Sequence, residues 1–442
     1  MNDHSTDSAS PLTEAVKSGH EEFIFPCCAP LYQDPIVIVT GIGASAVDSE
    51  GREFLDCFSG ILSTSIGHCH PEVVERVSNQ ISMLGHTSTL YLTENQVEAA
   101  RRLAAIAPGN LKKCFFTNSG TEALETAIMA ACQYTGRSEV IGLRHSYHGR
   151  SFLATGITGH ATWRPLASHI AGIRHARAPY LYRSDNVGLS EEDAAEVFAR
   201  DLEEVIVTTT NGRPAAFVAE SILGLGGYVV PPRGYFQRTA EIIRSYGGLF
   251  ISDEVQAGFG RTGGTWFGIE HWEVEPDIMF TAKGIANGFP VGATIAKPEI
   301  ADAWKAKTVS TFGGNPVSMA ATIATLDVMV RERVPQRCED RGRQFRAGLD
   351  ALYDAYDWIG EVRGMGLMLA MELVEDRVTK EPSRGKALAL LEAAKEERLL
   401  IGIAGMHGNV IRIAPSMLIT EDEVTVALAR LERACKRVVR GV

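Results

Sequence analysis

The chain has 442 residues, more than one ordinary hydrophobic core accommodates, so two or more domains are expected. Its 45% hydrophobic and 22% charged residues are the proportions of a globular protein, and no apolar run approaches the roughly 20 residues that span a bilayer. A net charge of −11 argues against nucleic acid or an anionic membrane as a main partner, because both reward a basic face.

The first twenty residues are polar. They lack the apolar core of a secretory signal and the arginine-rich pattern of a mitochondrial presequence, and they read as a mobile or partner-docked arm. Residues 39–60 (VTGIGASAVDSEGREFLDCFSG) predict a hairpin turning at Asp48–Gly51. It has no core of its own and is expected to join the C-terminal unit. Gly67–Pro71 (GHCHP) brings two histidines and a cysteine together without a further ligand, so a turn before a helix is expected and no metal. The eight cysteines are scattered, with no C-x-x-C pair, which fits a reduced, cytoplasmic protein.

From about residue 110 to 300, short apolar runs alternate with amphipathic stretches. KCFFTN, VIGLRH, AAFVAE, LFISDEV and DIMFTAK read as strands. Residues 121–136 form a helix with Ala123, Leu124, Ala127, Ile128 and Ala131 on one face and Gly136 at its end, and a second helix runs from Tyr235 to Tyr246. Alternating strands and helices imply an α/β fold whose mostly parallel sheet is covered on both sides. After about residue 325 a long helical stretch from near Val317 to Tyr356 is expected, then a smaller α/β unit. Its last helix opens with Thr420 and Glu423 in capping-box spacing. The expected division is 1–60, an arm and part of the small domain; 61–325, the large domain; and 326–442, the C-terminal small domain.

In a parallel sheet, ligands lie beyond the carboxyl ends of the strands, so the polar residue ending each run matters. Lys283 follows one strand and Asp253 ends another, and adjacent strands would bring them to one edge. Each has a plain reading, a solvated strand end for the lysine and a structural ion pair for the aspartate. Asn118–Thr121 joins a strand to a helix start, where free N–H groups bind phosphate, although an ordinary N-cap has the same composition. Tyr147 and His148 follow another strand, and the tyrosine offers a ring face. Taken together these are an amine, a carboxylate, a phosphate cradle and a stacking ring, the set that pyridoxal 5′-phosphate requires. No G-x-G-x-x-G stands directly after a strand, which disfavours a dinucleotide site.

The order of motifs DSEGREFLDCFSGI, GHCHPEV, NSGTEA, YHGR, DEVQAGFGRTG, AKGIANGFPVGA, TFGGNP, VRGMGLM and RIAPS resembles the class III (omega) aminotransferases of PLP fold type I. The resemblance runs from about residue 30 to the end and is greatest toward the alanine–glyoxylate aminotransferase 2-like branch. It implies that Lys283 carries the cofactor as a Schiff base and moves the proton. Asp253 would pair with the pyridine nitrogen, and Gln256 with the ring's phenolic oxygen. Tyr147 and Val255 would lie on the two ring faces with His148 beside them, and Ser119, Gly120 and Thr121 would hold the phosphate. Glu220 is expected near the cofactor, paired with an arginine or with Gln256. Thr311 would reach the phosphate from the neighbouring subunit, which makes a homodimer the minimum active unit and leaves a tetramer open.

The same resemblance implies ping-pong transfer, through pyridoxamine phosphate, from alanine, β-alanine or another omega-amino acid to pyruvate or glyoxylate. Arg412 matches the arginine that grips an α-carboxylate, and Arg150 the one that holds a distal carboxylate in 4-aminobutyrate enzymes. Ile61, Leu62 and Tyr91 are candidate pocket walls. Where the 4-aminobutyrate and ornithine branches carry a gating glutamate in QGEGG, this chain reads SILGLGG with Leu225 in that place. A 4-aminobutyrate- or ornithine-type enzyme using 2-oxoglutarate, and a PLP lyase on the same fold, are the alternatives.

Overall fold

The computed structural model describes residues 10–165 and 170–441. Its centre is a seven-stranded sheet in the order Lys113–Thr117, Gly292–Ala296, Ile278–Thr281, Leu249–Asp253, Ala216–Glu220, Val140–Leu143 and Ile173–Ala176. Gly292–Ala296 is antiparallel to both of its neighbours, and the other paired strands are parallel. The inner strands are buried along their whole length because both faces are covered. Val218, Ile251, Ile278 and Phe280 pack with Ala123, Leu124, Ala127, Ile128 and Ala131 of the Gly120–Thr135 helix. The intervening residues Phe217, Ala219, Phe250 and Met279 face a second core with Phe198 and Leu202 of the Glu191–Thr209 helix and Phe236 of the Tyr235–Ser245 helix. Two apolar clusters split by alternate residues follow from the two-residue period of a strand.

The register sets the site. Glu220 lies opposite Asp253, and Asp253 opposite Phe280, so two carboxylates end neighbouring strands just before the chain reaches Lys283. Gly136 closes the helix after the first strand in the left-handed conformation, at φ 67°.

Several expectations change. The strands Ile173–Ala176 and Gly292–Ala296 were not foreseen. The long helix is two, Pro316–Arg331 and Val334–Ala355, broken at Arg333 with φ 50° and restarted at Val334, with Pro335 in the first turn, where a helix tolerates proline. The arm lies outside the described residues as far as residue 9. From Pro11 to Phe23 it is a helix capped by Ser10, and Thr13 docks on Ser49 and Glu50 of the hairpin turn in the same chain. A G-x-G-x-x-G spacing does occur, from Gly258 to Gly263, but it stands past the strand end at Asp253 and opens no helix.

The hairpin of Ser45–Asp48 and Glu53–Asp56 pairs in parallel with Leu399–Leu400. A further sheet runs Ile359–Met365, Met368–Leu373, Val410–Ile413, Gly402–Ala404. His70 precedes the Pro71–Met83 helix, so the GHCHP stretch is a turn before a helix, and His68 bonds Asp56 at 2.8 Å. The last helix, Glu421–Arg440, carries the Thr420–Glu423 capping box. Among the described residues no helix is long and apolar enough to cross a membrane.

Candidate active site

A cavity of about 220 Å³ opens at the carboxyl ends of the central strands. Its lining includes Gly120, Thr121, Tyr147, His148, Arg150, Glu220, Asp253, Val255, Gln256 and Lys283, all singled out by sequence, together with Gly149 and Ala282, which were not. Lys283 stands two residues past the Ile278–Thr281 strand, after Ala282, in the left-handed conformation at φ 44°. That turn projects the lysine back over the sheet edge instead of letting it continue the strand. Burial lowers its pKa, against the attraction of Asp253, and the charge of Arg412 lowers it further. A larger share of neutral amine is the result, which a nucleophile needs.

Asp253 is held on both oxygens. Oδ1 accepts the Val255 N–H at 2.9 Å, and Oδ2 lies 2.7 Å from His148 Nδ1. Burial disfavours a charge on His148, but the hydrogen bond and charge of Asp253 outweigh it and raise its pKa. Sequence reasoning placed His148 near the ring and missed this bond, because nothing along the chain links a loop position to the end of a distant strand.

Glu220 is buried beside these groups. Burial above all pushes its pKa up to about 7; the Asp253 charge adds to this, and His148 opposes it. Its oxygens accept the N–H groups of Tyr147 (2.9 Å) and Gly224 (2.7 Å), so it holds two loops, where the sequence had suggested an arginine or Gln256 as its partner. Gln256 Oε1 and His148 Nε2 are buried without a partner.

The phosphate-binding expectation has a clear local basis. Ser119 caps the helix by accepting the Glu122 N–H, and its carbonyl takes the Ala123 N–H. The N–H groups of Gly120 and Thr121 therefore have no intrahelical partner and point to the site of an anion. A Cβ at Gly120 would lie 3.1 Å from Val255 and 3.4 Å from Ala282, so the glycine keeps the floor of the cavity open. Tyr147 presents one wall, braced edge-on by Trp163 with ring centroids 5.8 Å apart.

The remaining candidates lie outside this lining. Arg412 is buried, with its guanidinium 5.0 Å from the ring centre of Phe58 and 5.6 Å from that of Tyr228; among the described residues Nε and Nη1 make no hydrogen bond, and the Tyr228 hydroxyl is the polar side-chain group that supports its charge. Its charge nevertheless reaches both Lys283 and Glu220. Leu62 is buried, whereas Ile61 and Tyr91 are 48% and 69% exposed, and Thr311 is also exposed.

The family model for class-III aminotransferases matches residues 29–435. The chain belongs to the class III aminotransferases. It is a transaminase of PLP fold type I, and its cofactor is pyridoxal phosphate. The aminotransferase is 41% identical to alanine–glyoxylate aminotransferase 2 homolog 2, mitochondrial, of Arabidopsis thaliana over 414 residues, 93% of this chain and 85% of that protein. It is 38% identical to the acetylornithine aminotransferase of Methanopyrus kandleri, over 91% of this chain and 95% of the relative. An amine transaminase from an uncultivated Pseudomonas species, solved in its PLP-bound form, superposes with a TM-score of 0.87 at 32% identity and covers 92% of this chain and 96% of its own.

The cavity fits that cofactor. Free N–H groups at a helix start suit a phosphate, the NH2 of the Gln256 amide in the lining is a donor suited to a ring oxygen, and the lysine and carboxylate share one edge.

Proposed function

We propose that the aminotransferase moves an amino group from alanine, β-alanine or another omega-amino acid to a small 2-oxo acid such as pyruvate or glyoxylate, in ping-pong order. The observation that carries the substrate reading is the state of Arg412. Among the described residues, two of its buried donor nitrogens make no hydrogen bond and it forms no ion pair with a carboxylate. Leu225, where a gating glutamate would stand, is buried and apolar. An arginine fork in that condition is suited to a substrate carboxylate.

When bound, pyridoxal phosphate supplies an aldehyde that takes up the amino group and a ring that spreads the charge left when the α-proton departs. Lys283 Nζ would hold the cofactor through its aldehyde and, as a neutral amine, would be the base placed to take the α-proton. Asp253, itself braced by His148 and the Val255 N–H, keeps the proton on the pyridine nitrogen. Tyr147 and Val255 sandwich the ring, and Gln256 donates to its oxygen. Ser119, Gly120 and Thr121 hold the phosphate, joined by Thr311 of a second copy in a homodimer. The exposure of Ile61, Tyr91 and Thr311 in the single chain suits a pocket wall completed by that copy. A cytoplasmic location accompanies this reading.

The test is the visible spectrum of the purified protein, recorded with L-alanine, β-alanine or 4-aminobutyrate and again after pyruvate or glyoxylate. A yellow protein bleached by a donor and restored by the oxo acid is expected. Product formation without bleaching would overturn transamination in favour of lyase chemistry, and a protein that takes up no PLP would overturn the reading of Lys283. Arg150 lines the cavity and is exposed, which favours a second acceptor class with a distal carboxylate. Restoration by 2-oxoglutarate well ahead of pyruvate would select that class.

A further inference from the structure

Phe58 and Gly402 make a seat for Arg412 that no single motif contains. Gly402 is the cross-strand partner of Arg412 in the small antiparallel sheet. A Cβ at Gly402 would fall 2.3 Å from Phe58 Cε2 and 2.6 Å from Cζ, so the ring occupies the space of the missing side chain. From that notch the ring lies 5.0 Å from the guanidinium, with Tyr228 at 5.6 Å. Phe58 is itself fixed from the other side. Asp56 Oδ1 accepts the N–H of both Phe58 (2.9 Å) and Ser59 (2.8 Å). Ser59, Gly60, Ile61 and Leu62 then turn in the left-handed sense, with φ of 49°, 58°, 59° and 61°. Successive left-handed residues are costly for L-amino acids, so this turn is held by its surroundings and does not wander.

We propose that Phe58, seated against Gly402, is a positioning residue for the carboxylate fork: it fixes the Arg412 guanidinium face-on, with Nε and Nη1 free, and so sets the preference for carboxylate-bearing donors over plain amines. An arginine held by rings keeps its hydrogen-bonding edge available, whereas one held by a carboxylate has that edge filled. The inference rests on the proposed role of Arg412.

The experiment compares aminooxyacetate with methoxyamine on the PLP-loaded protein. Both replace the Lys283 nitrogen on the cofactor with their own and release the free lysine, and only the first carries a carboxylate. Their second-order rates of oxime formation are read by absorbance, with no turnover required. In the unaltered protein aminooxyacetate is expected to react faster, by about tenfold or more. Phe58→Leu and Gly402→Ala should each lower the ratio of the two rates by about tenfold through the aminooxyacetate arm, and Phe58→Tyr should keep it. An unchanged ratio in Phe58→Leu and Gly402→Ala, or an equal loss with both reagents, overturns the inference. A wild-type ratio near one overturns the Arg412 reading beneath it, and failure of any amino acid to bleach a protein that does form oximes overturns transamination alone.

Discussion

Two carboxylates end adjacent strands at this site, and they are treated differently. Asp253 has His148 on one oxygen and an N–H on the other, whereas Glu220 has only two N–H groups in a buried position. Burial carries Glu220 up to about 7 from its ordinary 4.5. The folded protein therefore binds a proton more tightly there than the unfolded chain does. Stability from this group is present below pH 4.5 and is lost as the pH rises toward 7. In Glu220→Gln that loss is absent, so the melting temperature of the cofactor-free variant relative to wild type should rise between pH 4.5 and 7 and level off above. The free-energy span is on the order of 3 kcal/mol. A difference that stays flat across that window would show that Glu220 is ionised throughout. At the carboxylate fork, Arg412→Lys keeps the charge and removes the planar donors. KM for L-alanine should rise roughly 10- to 100-fold in steady-state assays, the scale of a charge-assisted hydrogen bond.

Between residue and fold, the loops that meet the Gly120–Thr135 helix shape the end of the cavity proposed to hold the phosphate. Gly149 has φ 129°, and a Cβ there would come 2.3 Å from Thr121 Oγ1 and 3.1 Å from its Cα. Gly149→Ala must push Thr121 away from the helix start. PLP affinity, titrated by absorbance, should weaken by about tenfold, in line with the cost of overpacking. Strands with continuous apolar runs, such as AFVAE and IMFT, were legible because their burial on both faces leaves no polar interruption. Ile173–Ala176 was not, since Arg174 and His175 sit in an edge strand whose side chains remain half-exposed. Gly292–Ala296 was hidden by its small residues, which suit a close-packed strand and a loop equally. The break at Arg333 left its mark in Pro335, but helical periodicity ran across it. The candidate cofactor residues were readable because they end strands, as Glu220 and Asp253 do, or lie in the segments that follow them. The bond between His148 and Asp253, and the meeting of Phe58, Gly402 and Arg412, come from register and packing, which motif spacing does not encode.

On the scale of the molecule, several large apolar side chains are left mostly uncovered by the described residues. Met83 is 81% exposed, Leu90 79%, Leu92 93% and Phe312 60%, and Thr311 lies next to the last of these. Scattered single hydrophobics are ordinary, but residues this exposed, including a Leu90–Leu92 run, mark a surface that meets another. If the cover is a second copy that also lends Thr311 to the phosphate, binding of the cofactor and pairing of subunits are linked equilibria. Mass action then makes the protein's own concentration a determinant of cofactor retention. Diluted from micromolar to nanomolar at constant PLP, the enzyme should lose its cofactor together with its dimer, and added PLP should restore both. Thr311→Ala should weaken that coupling, read as a smaller shift of the dimer dissociation constant by PLP in analytical ultracentrifugation. Cofactor retention that ignores dilution while the dimer falls apart would show that each chain holds its phosphate alone.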